Sequence, residues 1–96
     1  MQRQAVIDVL KTHRAELCEQ GVKSLALFGS AARNEFLPGS DIDLLVEFNR
    51  PIGMFHFLRI RRRLSEILGC EVDLVTRPAL REEMREEILR EAVDVA

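Results

Sequence analysis

The chain has 96 residues, 47% hydrophobic and 31% charged, a mixture too apolar for a disordered segment and sized for one compact domain spanning 1–96. Fourteen Lys and Arg against sixteen Asp and Glu leave a net charge of −2, which argues against a dedicated duplex-binding protein; with no Tyr and no Trp there is no aromatic run to stack RNA bases. Folding a chain of this size buries about 60–65% of its unfolded surface, so a substrate much larger than a nucleotide needs a second protein to help hold it.

Val6, Ile7, Leu10, Arg14 and Leu17 fall at helical spacing and predict an amphipathic helix over Gln2–Gln20, with Gly21 as its stop. Val22–Phe28 (VKSLALF) is short and apolar enough for a buried strand, ended by Gly29-Ser30 and followed by a helical turn through Ala31, Ala32 and Arg33. Pro38-Gly39 marks a turn. Ser40–Phe48 (SDIDLLVEF) alternates with period two, placing Ile42, Leu44, Val46 and Phe48 on one face and Asp41, Asp43, Leu45 and Glu47 on the other. A helix from Gly53 or Met54 carries Phe57, Leu58, Ile60, Leu64, Ile67 and Leu68 as far as Gly69. Glu71–Thr76 reads as a third strand with Asp73 opposite Val72 and Leu74, and Leu80–Val93 as a last helix with Leu80, Met84 and Ile88 in its stripe. The resulting α/β (α+β) order fits a small mixed sheet with helices mainly on one face, leaving an acidic strand face to solvent or ligand.

Cys18 and Cys70 lie far apart with no metal-ligand spacing and read as buried or half-buried thiols. The charged N-terminus and the lack of a long apolar stretch exclude a secretory signal and a membrane span, so a reducing, cytoplasmic setting is expected. His13 and His56 lack metal-ligand spacing. Arg59, Arg61, Arg62 and Arg63 form a basic patch read as a solvated helix face, with contact to an acidic partner as the alternative. The Glu and Arg residues between Glu82 and Glu91 read as surface pairs at i,i+3 and i,i+4. The Phe residues read as core, except that Phe55 or Phe57 faces outward.

Asp41 and Asp43 point the same way from one strand and Asp73 sits in the middle of another, so all three converge if the strands are neighbours. Three carboxylates without a counter-charge repel one another and hold raised pKa values. Mg²⁺, which takes a few carboxylate oxygens together with water and phosphate, is the natural cation. Two such ions about 3.5–4 Å apart stabilise both the attacking and the leaving oxygen of an in-line phosphoryl displacement. Gly29-Ser30 supplies the other half: glycine admits a phosphate close to the backbone, Ser30 has a hydroxyl to donate, and Arg33 carries charge to neutralise a triphosphate. The plain alternative reads Asp41, Asp43 and Asp73 as solvated charges that keep a strand from aggregating, and Arg33 as a surface ion pair.

Gly29-Ser30, ten residues and then Asp41-Ile42-Asp43 resemble the signature of the polymerase-beta nucleotidyltransferase superfamily, and of its minimal nucleotidyltransferase (MNT) domain in particular. The segments FGSAARNEF, SDIDLLVEF, RIRRRLSEILG, EVDLVT and MREEILREAV carry the resemblance over nearly the whole chain. One departure is Asn34, where a glycine commonly follows the arginine; asparagine tolerates the left-handed conformation. The resemblance implies a polymerase-beta-like fold, metal binding by Asp41, Asp43 and Asp73, help from Asp73 in deprotonating the attacking hydroxyl, and phosphate binding by Gly29 and Ser30. It further implies transfer of a nucleoside monophosphate, AMP from ATP, to a protein hydroxyl. Larger relatives carry extra domains for the acceptor, whereas this chain ends after the third strand and one helix. Minimal domains of this kind pair with HEPN-domain toxins, so the resemblance implies an antitoxin with a HEPN partner and a homo- or hetero-oligomeric assembly. A contact-only antitoxin and a small-molecule nucleotidyltransferase are the alternatives.

Overall fold

A computed structural model of the chain describes residues 3–29 and 41–95. Among these, β1 (Val22–Phe28) pairs antiparallel with β2 (Ile42–Phe48), β2 pairs parallel with β3 (Val72–Thr76), and β1 pairs antiparallel with β4 (Val93–Asp94). The sheet order is β3-β2-β1-β4. The helices are α1 (Arg3–Thr12), α2 (Arg14–Glu19), α3 (Met54–Leu68) and α4 (Glu82–Glu91), with a 3₁₀ turn at Arg77–Ala79.

Period-two alternation divides the sheet into two faces. Leu25, Leu27, Ile42, Leu44, Val46, Val72 and Leu74 turn toward Val6, Leu10 and Leu17 of α1 and α2 and Ile60, Leu64 and Leu68 of α3, forming the main core. Leu10, Leu25, Leu27, Leu44, Ile60 and Leu64 are each under 2% exposed, a degree of burial worth about 1.5–3 kcal/mol per side chain. The parallel β2–β3 pair requires a crossover, which α3 provides. Gly69 ends that helix in the left-handed conformation at φ +71°, its amide donating to the Ser65 carbonyl at 2.8 Å.

Four features depart from the sequence reading. The first helix is broken at His13, where Thr12 Oγ1 donates to the Asp8 carbonyl and His13 Nδ1 to the Val9 carbonyl, both at 2.9 Å. Side chains that bond to the preceding turn compete with helix continuation and bend it. The acidic character of the opposite sheet face is interrupted in its middle, because Leu45 is 4% exposed and packs with Ala26, Phe28 and Leu80, against which Ile88 and Leu89 of α4 are partly buried. Leu80 is extended rather than helical, α4 begins at Glu82, and the chain then forms β4, whose following amide, Val95 N, donates to the Leu25 carbonyl at 2.9 Å. Cys18 is exposed, not buried, while Cys70 is half-buried. The turn at Pro38-Gly39 and the helical turn at 31–33 lie outside the described residues.

Phe57 lies on the inner side of α3 and meets Phe48 edge-on at 6.2 Å, while Phe55 stands 85% exposed. Among the described residues no helix is long and apolar enough to cross a membrane.

Candidate active site

Register brings the aspartates together. Asp43 of β2 lies directly beside Asp73 of β3 in the parallel pair, and on its other side its cross-strand neighbour is Phe28, the last residue of β1. Asp41 immediately precedes β2, where the Ile42 amide donates to the Glu71 carbonyl at 3.0 Å and so ties the strand starts together. Asp41 and Asp73 are exposed and Asp43 is half-buried, so the cluster opens to solvent.

Crowding has an electrostatic consequence. Burial pushes the Asp43 carboxyl above its ordinary value of 3.8; the negative charges of Asp73 and then Asp41 raise it further, and a hydrogen bond with Asp73 adds to the effect. Carboxylates crowded in this way repel one another, and a bound cation relieves that repulsion. Cys70 feels the same field: burial raises its pKa first, then the charges of Asp41 and Glu71.

Gly29 completes the described part of the site. Its φ of +66° disfavours any residue with a side chain, and a Cβ built there would collide with Asp43 Oδ2. The turn after β1 therefore lies against the carboxylate of β2, and glycine is what permits the approach. Ser30 and Arg33 lie outside the described residues.

Among the described residues no three His, Cys, Asp or Glu side chains are already grouped to hold an ion. The donor set nevertheless fits a hard divalent cation: carboxylate oxygens open to solvent and in mutual repulsion, with the Gly29 backbone close against Asp43. Asp43 with Asp73 and Asp41 would hold it.

Sequence reasoning did not reach two neighbouring features. Arg77 Nε pairs with Glu47 Oε1 at 3.0 Å, two residues beyond Leu45 on β2; alternation put Glu47 on the acidic face, but nothing in the sequence aimed Arg77 at it. A cleft of about 580 Å³ opens at the far ends of β2 and β3 between Phe48, Ile52, Phe57 and Thr76. Its apolar walls, rimmed by Glu47, Arg50 and Arg77, come from separate segments that share no motif, so no residue pattern announced it.

A mixed sheet backed by helices, with facing aspartates on a parallel strand pair beside a close glycine turn, is the polymerase-beta-like nucleotidyltransferase scaffold. A solved structure of a minimal nucleotidyltransferase superposes with a TM-score of 0.83 at 31% identity, covering 97% of this chain and 95% of that one. Protein adenylyltransferase MntA of Thermococcus cleftensis is 36% identical over 88 residues, 91% of this chain and 89% of its own. MJ0435 of Methanocaldococcus jannaschii, a candidate protein adenylyltransferase, is 44% identical over 79 residues, 82% of this chain and 85% of its own. The Shewanella oneidensis structure of a tri-AMPylated HEPN toxin with its MNT antitoxin shares the fold at 17% identity and a TM-score of 0.67, covering 98% of this chain and 71% of that one. The nucleotidyltransferase domain family matches residues 10–95, and the chain belongs to that family. It is a nucleotidyltransferase.

Proposed function

We propose that this nucleotidyltransferase moves AMP from ATP to a hydroxyl of a protein acceptor, a HEPN-domain toxin, and acts in the cytoplasm as that toxin's antitoxin, with residues 1–96 as one catalytic domain. The observation that carries the chemistry is Asp43, set between Asp73 and the Gly29 turn with its carboxyl pKa raised. The adenylyl donor and protein acceptor are supported by the relatives named protein adenylyltransferases, and the HEPN partner by the shared fold with an MNT antitoxin solved on an AMPylated HEPN toxin.

In this reading Asp41 and Asp43 would hold Mg²⁺, two ions being expected, with Asp73 as the third carboxylate. When bound, the ions neutralise triphosphate charge and favour the deprotonated acceptor hydroxyl. The Gly29 turn presents its backbone beside Asp43 without a side chain in the way of the phosphates, and Ser30 and Arg33 would donate hydrogen bonds and positive charge to them. Asp73 orients the acceptor hydroxyl and helps take its proton. The hydroxyl oxygen forms a bond to Pα as the Pα–Oβ bond breaks, so AMP is retained on the acceptor and pyrophosphate leaves.

Incubation with ATP labelled at the α-phosphate, Mg²⁺ and a HEPN-domain toxin, sought first among the proteins encoded beside this chain, tests the reading. Label is expected on that protein, and Asp43→Asn and Asp41→Asn are each expected to abolish it. Toxin neutralisation that survives both substitutions undiminished would instead favour inhibition by contact alone.

A further inference from the structure

Large apolar side chains are exposed at four places among the described residues, and three of them crowd the first two turns of α3: Met54 at 70%, Phe55 at 85% and Leu58 at 44%. Scattered exposed apolar residues are ordinary, whereas a contiguous group marks a surface that something covers. The group runs into the 580 Å³ cleft, which Met54 also lines and which Arg50 rims. Toward the helix C-terminus the same outward face becomes cationic. Phe55, Leu58, Arg59 and Arg62 recur at i, i+3, i+4 and i+7, and all four are exposed. The helix carries four arginines against one glutamate. Arg62 and Arg63 both reach Glu66, and Arg63 also reaches Glu16 at 2.9 Å, which leaves Arg59 and Arg61 without a carboxylate partner among the described residues.

We infer that this face of α3 receives the protein acceptor, and that the acceptor meets it with an amphipathic segment whose apolar side chains are flanked by carboxylates. The inference rests on the proposed transfer to a protein. An apolar cluster continued by exposed arginines in excess of the helix's one glutamate, on a chain of net charge −2, selects a partner of that composition. The face also leads to the edge of the site. Its 15 residues span about 22 Å and return the chain to Glu71, whose carbonyl holds the start of β2 beside Asp41. A shallow hollow of Arg61, Arg62, Ser65 and Glu71 continues the surface to that end. A segment lying along α3 from Phe55 would thus bring its far end to the strand starts beside Asp41, and the acceptor would reach Asp43 and Asp73, which turn to the other sheet face, around that edge.

A second copy fits less well. Its α4 offers exposed Met84 among Glu83, Glu86 and Glu87, but α4 packs on the opposite sheet face from α3. Such a contact is head-to-tail and builds a ring or an open chain instead of a two-fold pair.

The test measures affinity of the chain for the HEPN-domain toxin of the transfer assay, by titration calorimetry at two salt concentrations, for wild type, Phe55→Glu/Leu58→Glu, Arg59→Glu/Arg62→Glu and Asp43→Asn. All substituted surface residues are exposed, so the fold should survive, and binding of an ATP analogue with Mg²⁺ checks that the site does too. Each surface double variant is expected to weaken the complex at least tenfold and to leave analogue binding unchanged, the arginine variant also flattening the salt dependence. Asp43→Asn should leave the complex intact. Wild-type affinity in both surface variants overturns the inference while leaving the proposed transfer standing. Absence of any wild-type complex overturns the inference together with the HEPN partner, and AMP transfer is then judged on its own assay. RNA retardation or self-association that disappears in the same variants also overturns it, by assigning the surface to a different occupant.

Discussion

Gly29→Ala separates two costs that structure assigns to one methyl group, and Gly69→Ala is its control. Both glycines sit in the left-handed region, at φ +66° and +71°, but a Cβ at Gly69 meets nothing within 4 Å whereas one at Gly29 collides with Asp43 Oδ2. Alanine in that conformation costs about 1–2 kcal/mol, partly offset by about 0.4–1 kcal/mol from a stiffer unfolded chain. Gly69→Ala is therefore expected to lose about 1 kcal/mol, a drop of roughly 4–8 °C in Tm for a domain of this size, with AMP transfer unchanged. Gly29→Ala carries the same backbone cost and also drives the Asp43 carboxylate off its rotamer against Asp73, adding about 0.5–1.5 kcal/mol. The larger effect falls on the reaction, because displacing a reacting or ligating group by about 1 Å costs roughly 10²-fold in rate. The assay pairs thermal melts with kcat/KM for AMP transfer. If Gly29→Ala transfers AMP as fast as Gly69→Ala and melts with it, the close approach of the β1 turn to Asp43 plays no part in holding the site.

Asp43→Asn should abolish transfer yet raise apo stability at neutral pH, by up to about 1 kcal/mol given solvent screening of a half-exposed group. A raised folded-state carboxyl pKa means that the native state binds the proton more tightly than the unfolded chain, so ionisation of Asp43 destabilises as pH rises through its folded value. The Tm gap between variant and wild type should accordingly close on acidifying toward pH 4, and a gap that widens contradicts the assignment. Mg²⁺ at neutral pH should raise the wild-type Tm and leave Asp43→Asn unmoved. Leu44→Ala, at a residue with no exposure, should cost about 2–5 kcal/mol by chemical denaturation. Val95→Ala, at a residue 3% exposed just after β4, should cost about 1–2 kcal/mol; a neutral result would show that the β4 end contributes little to the sheet.

Much of the fold was legible because its signals are local. Val22–Phe28 is bounded by Gly21 and Gly29, and its strand limits agree with the sequence; α3 likewise runs from Met54 to Leu68, just short of Gly69. Alternation in 42–48 and 72–76 was enough to set Asp43 and Asp73 on one face, and neighbouring register then made them partners. What escaped depended on distant contacts. Leu45 shares the alternation of the aspartates, and only the return of Leu80 and α4 across that face buries it. β4 is two residues long, too short for any period, and exists because Leu25 and Ala26 of β1 offer it an edge. The break at His13 comes from bonds to the preceding turn, while the apolar spacing of Leu10 and Leu17 runs through it uninterrupted. The outward apolar cluster on α3 was hidden for the converse reason: Phe55 and Phe57 are identical to composition, and only packing against Phe48 assigns one inward.

The most direct measurement follows the fate of the α- and γ-phosphates of ATP with wild type and Asp43→Asn side by side, in Mg²⁺ and in chelator. The account predicts that α-label becomes bound to the HEPN-domain protein while γ-label leaves as pyrophosphate, and that both changes vanish in Asp43→Asn or without the metal. Transfer of the γ-label instead, or α-label arriving undiminished from Asp43→Asn, contradicts it.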